Sequence, residues 1–486
     1  MPEKDIFGRK EEIASFRSIL SSKEAEFLAL YGRRRVGKTF LVREFFSNKG
    51  MYVEITGQKD GELHQQLENF SRQFSKGFYD NIPLQPPKSW KEAFSLLTTH
   101  IQKIPKRQKC ILFFDELPWL AGRKSGFMQA LDFYWNRYWS SSKNLIVIVC
   151  GSAASWMLDH LVNAKGGLHN RLTKTILLKP FNLTESSEYL KHRHVNLNTK
   201  QFCDIYMTCG GIPYYLKQIE KGKSATQNIN RLCFQKDGLL YNEFDRIFPA
   251  LFNHSEQHFS IIKAIASASS GISREDLLKK TKMASGGTFR KRLHELEAAG
   301  FIQAYCPYGF KRKSQFYRLI DEYVLFYLHW IYPIKLKGIE QGKTYWQTKA
   351  KTPSVLSWAG YAFEMICLKH VDEIRKSLGL EGIHIEIGSY RYVPKTKSKE
   401  RGVQIDLLFD REDGVITLCE IKYSQKKLVF DKSMAKQLAE KIDRFEKHFS
   451  TTKSVSLAMI TMHGIKPTYW AEELVDDEVV FEELIT

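Results

Sequence analysis

The sequence predicts an α/β protein whose N-terminal part is a parallel sheet covered by helices, with helical and mixed units behind it. Two observations point there. Three short, continuous apolar runs, Phe27–Tyr31, Ile111–Phe114 and Leu145–Cys150, are bounded by turn residues, as expected of strands buried on both faces. Helical patterns alternate with them as far as about residue 180. On this basis the chain divides into 1–180, a mostly helical 181–250 broken at Gly210-Gly211-Ile212-Pro213, a third unit over 251–340, and a mixed helix-and-strand unit over 350–486.

The first run leads into Tyr31-Gly32-Arg33-Arg34-Arg35-Val36-Gly37-Lys38-Thr39, a G-x-x-x-x-G-K-[ST] pattern set between a strand and a helix. In that context it reads as the phosphate cradle of a P-loop NTPase sheet. Gly32 and Gly37 admit backbone angles that turn successive amides toward phosphate oxygens. The helix N-terminus adds partial positive charge. Lys38 reaches the β- and γ-phosphates, and the Thr39 hydroxyl is suited to ligate Mg2+. Nucleotide contacts are therefore assigned to Gly32, Arg35, Val36, Gly37, Lys38, Thr39 and Phe40. The competing reading, a glycine-rich turn with a surface lysine, is weakened by a second motif. Ile111–Phe114 ends in Asp115-Glu116. Asp115 can hold Mg2+, and Glu116 can orient or deprotonate the attacking water. The third run ends in Gly151-Ser152, where Ser152 is a candidate sensor of the γ-phosphate or the water, or else a plain turn serine.

At 486 residues the chain has length for roughly two to four domains, each with its own core. Its hydrophobic content, 43%, is ordinary, but its formal net charge of +19 is not. That charge favours a polyanionic partner, nucleic acid ahead of an anionic membrane surface. Eight cysteines without a C-x-x-C pair indicate neither a zinc site nor a disulfide framework, and suggest a reducing, cytoplasmic setting. Met1-Pro2-Glu3-Lys4-Asp5 lacks a signal pattern. The aromatic stretch Tyr323–Pro333 is too short to span a bilayer and contains His329, so it reads as a buried helix and no membrane partner is expected. Homo-oligomerisation is left open.

The third unit has a recognisable order. A helix near His258–Ala268 precedes Ser273-Arg274-Glu275-Asp276-Leu277-Leu278, a helix with Ser273 as N-cap. After Gly286-Gly287 comes a helix over Thr288–Leu296, then a hairpin entered at Phe301-Ile302-Gln303-Ala304 with Lys311-Arg312-Lys313 at its tip. Helix, turn, helix and basic wing make a winged helix, suited to DNA contact or to protein packing.

In the C-terminal unit, Gly402–Phe409 reads as a strand holding Asp406, and Val415–Ile421 as a second strand leading into Glu420-Ile421-Lys422. Residues two apart share a face, so Glu420 and Lys422 project together, and Asp406 joins them if the strands pair. Two carboxylates around a divalent ion with a lysine alongside suit phosphodiester hydrolysis. Glu364, in the apolar helical stretch Gly360–Ile366, is a third candidate acid ligand. Lys436 and Gln437 downstream are candidates to orient water or substrate. A cross-strand ion pair on a polar face is the competing reading. The basic, aromatic segment Tyr390–Lys399 is either a nucleic-acid surface or a solubilising loop.

Phe7-Gly8-Arg9-Lys10-Glu11-Glu12, the Tyr31–Thr39 loop, Asp115-Glu116, Cys150-Gly151-Ser152 and Gly210-Gly211-Ile212-Pro213-Tyr214-Tyr215-Leu216 together resemble the archaeal-type ATPases, AAA-like, STAND-class P-loop proteins. The resemblance covers roughly residues 5–335 and implies an ATPase core using ATP and Mg2+, a helical lid and a winged helix. It also implies that Phe7-Gly8-Arg9 packs near the adenine and that Arg171 senses phosphate. The tail, roughly 350–486, is similar to the PD-(D/E)XK nucleases, with a restriction-endonuclease-like α/β fold. Asp406, Glu420 and Lys422 match the acidic and E-x-K positions and Glu364 the helical glutamate, while Ile405 replaces the motif's proline. The implied function is ATP hydrolysis coupled to a DNA-binding, metal-dependent nuclease domain. The alternative is a nucleotide-dependent switch or DNA-binding regulator with an inactive nuclease fold.

Overall fold

The computed structural model describes residues 6–163, 168, 170–252, 254–310, 315–338, 341–342, 344–392, 394, 402–449 and 451–485. The chain falls into two compact units, Met1–Pro180 and Phe181–Thr486.

In the first unit, β1 (Glu26–Tyr31), β2 (Met51–Thr56), β3 (Cys110–Asp115), β4 (Leu145–Gly151) and β5 (Lys174–Leu177) form one sheet in the order β2-β3-β4-β1-β5. Every pairing is parallel. Every residue of β3 and β4 is buried, which is why both read as unbroken apolar runs. Covering helices follow from amphipathic spacing. Trp90–Ile101 starts where the Ser89 side chain accepts the Glu92 N–H, and it buries Trp90, Ala93, Phe94, Leu97 and Ile101. Phe94 lies 5.6 Å from Phe114 of β3, so this helix closes one face of the sheet. Truncating Phe94 to alanine removes that seal at about 3–5 kcal/mol. Because the strands run parallel, the loops after β1, β3 and β4 emerge at the same edge of the sheet.

The second unit begins with helices Leu183–His192, Thr199–Cys209, Ala225–Phe234 and Leu239–Leu251. Asn182, Asn198 and Ser224 cap the first three. A smaller module follows: helix Ser255–Ala266, β6 (Ile272–Ser273), helices Arg274–Thr281 and Gly287–Ala298, then β7 (Ile302–Tyr305) and β8 (Phe316–Leu319). Its three strands pair antiparallel in the order β6-β8-β7. Ser273 caps its helix as the sequence suggests, accepting the Asp276 N–H. The expected basic tip, Lys311-Arg312-Lys313, lies outside the described residues. The aromatic stretch folds as Glu322–Phe326 and a π-helical turn Tyr327–Ile331, with Tyr323 and Tyr327 buried. Among the described residues no helix is long and apolar enough to cross a membrane.

The chain ends in helix Pro353–Lys369, then β9 (Ile385–Tyr392), β10 (Val403–Arg411), β11 (Val415–Lys422), helix Lys432–Phe449, β12 (Ser454–Thr461) and β13 (Asp477–Val480). The sheet order is β13-β12-β11-β10-β9. β9, β10 and β11 are antiparallel neighbours, whereas β11, β12 and β13 are parallel. The Lys432–Phe449 helix supplies the crossover that a parallel β11–β12 pair requires. It plants Phe445 among Tyr390, Ile405, Leu408, Ile416 and Leu418.

Candidate functional site

The loop after β1 closes on its own lysine. Gly32 holds φ 146°, and a Cβ there would meet the Leu178 carbonyl oxygen at 2.4 Å. Only glycine fits this approach. Arg35 and Gly37 also take positive φ, 75° and 94°. Gly37 is the N-cap of helix Lys38–Phe46, so the first amides of that helix face the loop without helical partners. Lys38 is buried, and its Nζ donates to the Gly32 and Arg33 carbonyls, each at 2.9 Å. The loop from Gly32 to Thr39 therefore curls around the Lys38 ammonium. Phe40 differs: its side chain is 50% exposed, leaving its backbone N–H as the group near the cradle.

The acids arrive from β3. Asp115, 3% exposed, accepts the Thr39 hydroxyl at 2.9 Å through Oδ2 and the Glu116 N–H at 3.0 Å through Oδ1. Burial, then the neighbouring Glu116, raise its carboxyl above the ordinary range, against the Thr39 and Cys150 hydrogen bonds. A buried acid in that state is relieved by a cation, and Thr39 with Asp115 makes an all-oxygen pair suited to Mg2+. Glu116 sits in the left-handed region (φ 50°). Its Oε2 accepts both the Ser152 hydroxyl at 2.9 Å and the Ser152 N–H at 3.2 Å. Ser152 thus touches the candidate base directly, a link that spacing alone did not show.

The structure gives Arg9 carbonyl partners that the sequence did not announce. Its guanidinium donates to the Lys179 carbonyl at 2.7 Å and the Val36 carbonyl at 3.2 Å, with Glu12 at 3.6 Å. It ties the loop to the chain beyond β5 and so acts as a brace, whatever Phe7 contributes. Phe7 is half-buried, and Arg171 is exposed in the turn before β5.

In the second unit, β10 and β11 do pair. One step beyond the Leu407–Cys419 register pair, Asp406 stands across from Glu420. Glu420 is buried, with Lys422 Nζ 2.7 Å from Oε1 and Lys441 on Oε2. Burial would raise Glu420, but Lys441 and Lys422 hold it below its ordinary value. Asp406 is raised by burial and by Glu420, and accepts from the Gln404 amide at 3.3 Å. Glu364 is raised to about 8 by burial and Asp406, against Arg318. Among the described residues no group of three or more His, Cys, Asp or Glu is arranged to hold a metal ion, Glu364, Asp406 and Glu420 included. Two ammonium groups occupy both oxygens of Glu420. The ion pairs that form join Glu420 to Lys422 on its own strand and to Lys441 on the helix, rather than crossing from β10 to β11.

Sequence reasoning missed Lys441 and Arg318. Lys436 is exposed, whereas Gln437 and Lys441, four residues apart on one helix face, line a cleft of about 480 Å3 with Glu420 and Lys422. The available signal was that i,i+4 spacing from Gln437.

Residues 6–219 match a family described as an ATPase domain predominantly from Archaea. This segment is an archaeal-type ATPase domain. The match covers the phosphate loop, Asp115-Glu116 and Ser152, and stops short of the two later modules. Over 450 residues the chain is 23% identical to an uncharacterized protein of Methanocaldococcus jannaschii, covering 91% of this chain and 94% of that one. An uncharacterized ATP-binding protein of the same organism is 46% identical over 42 residues, 9% of this chain and 71% of that one. Among solved structures, a Walker-type ATPase of Pyrococcus abyssi superposes with a TM-score of 0.47 at 20% identity, covering 67% of this chain and 97% of that one.

Proposed function

We propose that the archaeal-type ATPase domain binds and hydrolyses Mg-ATP and that the chain couples this to nucleic-acid processing by its C-terminal unit. The observation that carries the first half is the contact between the Thr39 hydroxyl and Asp115 beside a lysine-gripped glycine loop. Gly32, Arg35, Val36, Gly37, Lys38 and the Phe40 amide cradle phosphates in this reading, and Thr39 with Asp115 holds the cation. Held by Thr39 and Asp115, Mg2+ would supply neutralisation of the phosphate charge. Lys38 leaves the Gly32 and Arg33 carbonyls to meet phosphate. Glu116 accepts the proton of the attacking water, and Ser152 orients the Glu116 carboxylate and registers its release. Phe7 flanks the base, and Arg171 contacts phosphate once nucleotide is present. Glu116→Gln is the test: ATP affinity persists and hydrolysis falls on the order of 100-fold or more. Wild-type turnover in that variant would remove Glu116 from the reaction.

For the C-terminal unit the proposal is a nuclease-like domain acting on DNA, with the Ser255–Leu319 module as a winged helix. Exposed Arg290 and Lys291 on helix Gly287–Ala298 suit phosphate contact. Cleavage is assigned to Asp406, Glu420 and Lys422, with Glu364 as a further acid. Asp406 and Glu364, both raised by burial, line a small cavity, and Glu420 with Lys422 and Lys441 lines an open cleft; this clustering of perturbed groups supports the reading. Glu420 would be open to a divalent ion once Lys422 and Lys441 release its oxygens. The second reading, an inactive fold held by a Lys–Glu–Lys bridge, is favoured by that same occupancy of Glu420. Plasmid incubation with Mg2+ or Mn2+, with and without ATP, separates the two: cleavage that Lys422→Ala abolishes supports the nuclease, and equal cleavage by both proteins discards the site.

A further inference from the structure

Within the second unit, a cleft of about 840 Å3 opens between β9, helix Lys432–Phe449 and the β7–β8 hairpin. Aromatic rings make up about half of its lining. Tyr392 and His448 lie face to face, ring centroids 3.7 Å apart and 14° from parallel. Phe310 keeps 43% of its surface in solvent. The Arg391 guanidinium sits 5.5 Å from the centre of the Phe316 ring. Lys280 adds a second cation at the rim, against Asp276, whose carboxylate accepts the Ser273 hydroxyl.

The cleft does not end blindly. A small adjoining cavity is lined by Arg318, Glu364, Gln404 and Asp406, and Gly271, Tyr390 and Arg391 line both spaces. The aromatic walls therefore run up to the acid cluster. Flat rings interleaved with cations match a chain of flat bases linked by phosphates. A duplex stacks its bases on each other and offers a protein only edges and backbone, so it leaves such rings without partners.

We propose that this cleft binds single-stranded nucleic acid. Bases stack on the Tyr392–His448 pair and on Phe310, Arg391 and Lys280 hold phosphates, and the strand is led toward Asp406. The proposal rests on reading the C-terminal unit as a nucleic-acid-processing domain, and it names that domain's substrate class.

The test is fluorescence anisotropy of the full chain with labelled oligo(dT), oligo(U) and a mixed-sequence duplex, in EDTA and at low salt. Single strands bind more tightly than duplex, and binding weakens with salt. Phe310→Ala and Tyr392→Ala each weaken it roughly 5- to 100-fold, the loss of one stacked base, while Tyr392→Phe keeps wild-type affinity. The two oligonucleotide arms decide between DNA and RNA. Exposed Phe310 carries the test if Tyr392→Ala fails to fold. Preference for duplex, no saturable single-strand binding, or folded Phe310→Ala and Tyr392→Ala proteins that bind like wild type overturns the proposal. Because EDTA silences cleavage, the nuclease reading fails separately: strand binding without metal-dependent cutting removes that reading and leaves the cleft.

Discussion

Asp115→Asn should move stability and catalysis in opposite directions. Asp115 is 3% exposed, and burial together with Glu116 raises its carboxyl above the ordinary range. Without a cation the fold therefore bears an acid that is costly to ionise. Asparagine has the same shape, and its carbonyl can still accept the Thr39 hydroxyl or the Glu116 N–H. Removing the charge should stabilise the nucleotide-free domain by on the order of 1 kcal/mol. For a unit of this size, Met1–Pro180, that corresponds to roughly 2–4 °C in Tm. Catalysis loses the anion that would hold the metal, and Mg2+-dependent phosphate release should fall on the order of 100-fold or more. Calorimetry without nucleotide and a phosphate-release assay across Mg2+ concentrations read both effects. A variant that is less stable than wild type and hydrolyses ATP normally would refute the reasoning.

Gly32→Ala forces a Cβ against the Leu178 carbonyl oxygen at a φ of 146°, so it should destabilise the first unit by about 1–3 kcal/mol or shift the loop and weaken ATP binding. Thermal unfolding and ATP titration that both match wild type would count against the loop geometry. His370 gives a pH signature: burial holds it down at about 4, below the ordinary 6.5. The unfolded chain then binds the extra proton, so His370's contribution is complete above about pH 6.5 and is lost as pH falls toward 4. Between pH 6.5 and 5 the loss is about 1.6 kcal/mol. Denaturant midpoints should fall over that range, and His370→Asn should flatten the trend; an unchanged slope contradicts it. Lys422→Ala or Lys441→Ala alone leaves Glu420 one partner, whereas the double variant leaves a buried, uncompensated carboxylate and should lose about 3–5 kcal/mol. Urea unfolding reads this, and additive single effects of a few tenths would argue against the bridge.

The parts legible in the sequence were those whose chemistry is local. The phosphate loop lies within Gly32–Thr39, and its glycines, lysine and threonine are all close in the chain. Asp115 and Ser152 were legible because parallel strands deliver their C-terminal ends to one edge. Ser273 was legible as a cap because capping depends on three residues. The acid cluster was only half readable. Spacing put Glu420 and Lys422 on one face, but nothing in it announced Lys441, brought by a helix that crosses over before β12. Arg318, on the β8 hairpin strand, influences Glu364 from far along the chain. Arg9 was only partly readable for a related reason. A motif suggests a role near the ligand, whereas its carbonyl partners at Val36 and Lys179 appear only once the loop and β5 have folded.

The central claim is that Lys38 exchanges the Gly32 and Arg33 carbonyls for phosphate oxygens, with Thr39 and Asp115 holding the cation. Equilibrium titration of the full chain with fluorescent ATP and Mg2+, beside Lys38→Ala, tests it most directly. The account predicts saturable binding by the parent and at least a tenfold loss in the variant, the removal of a charged contact worth on the order of 1.5–3 kcal/mol. No saturable binding by the folded parent, or equal binding by the two proteins, would contradict it.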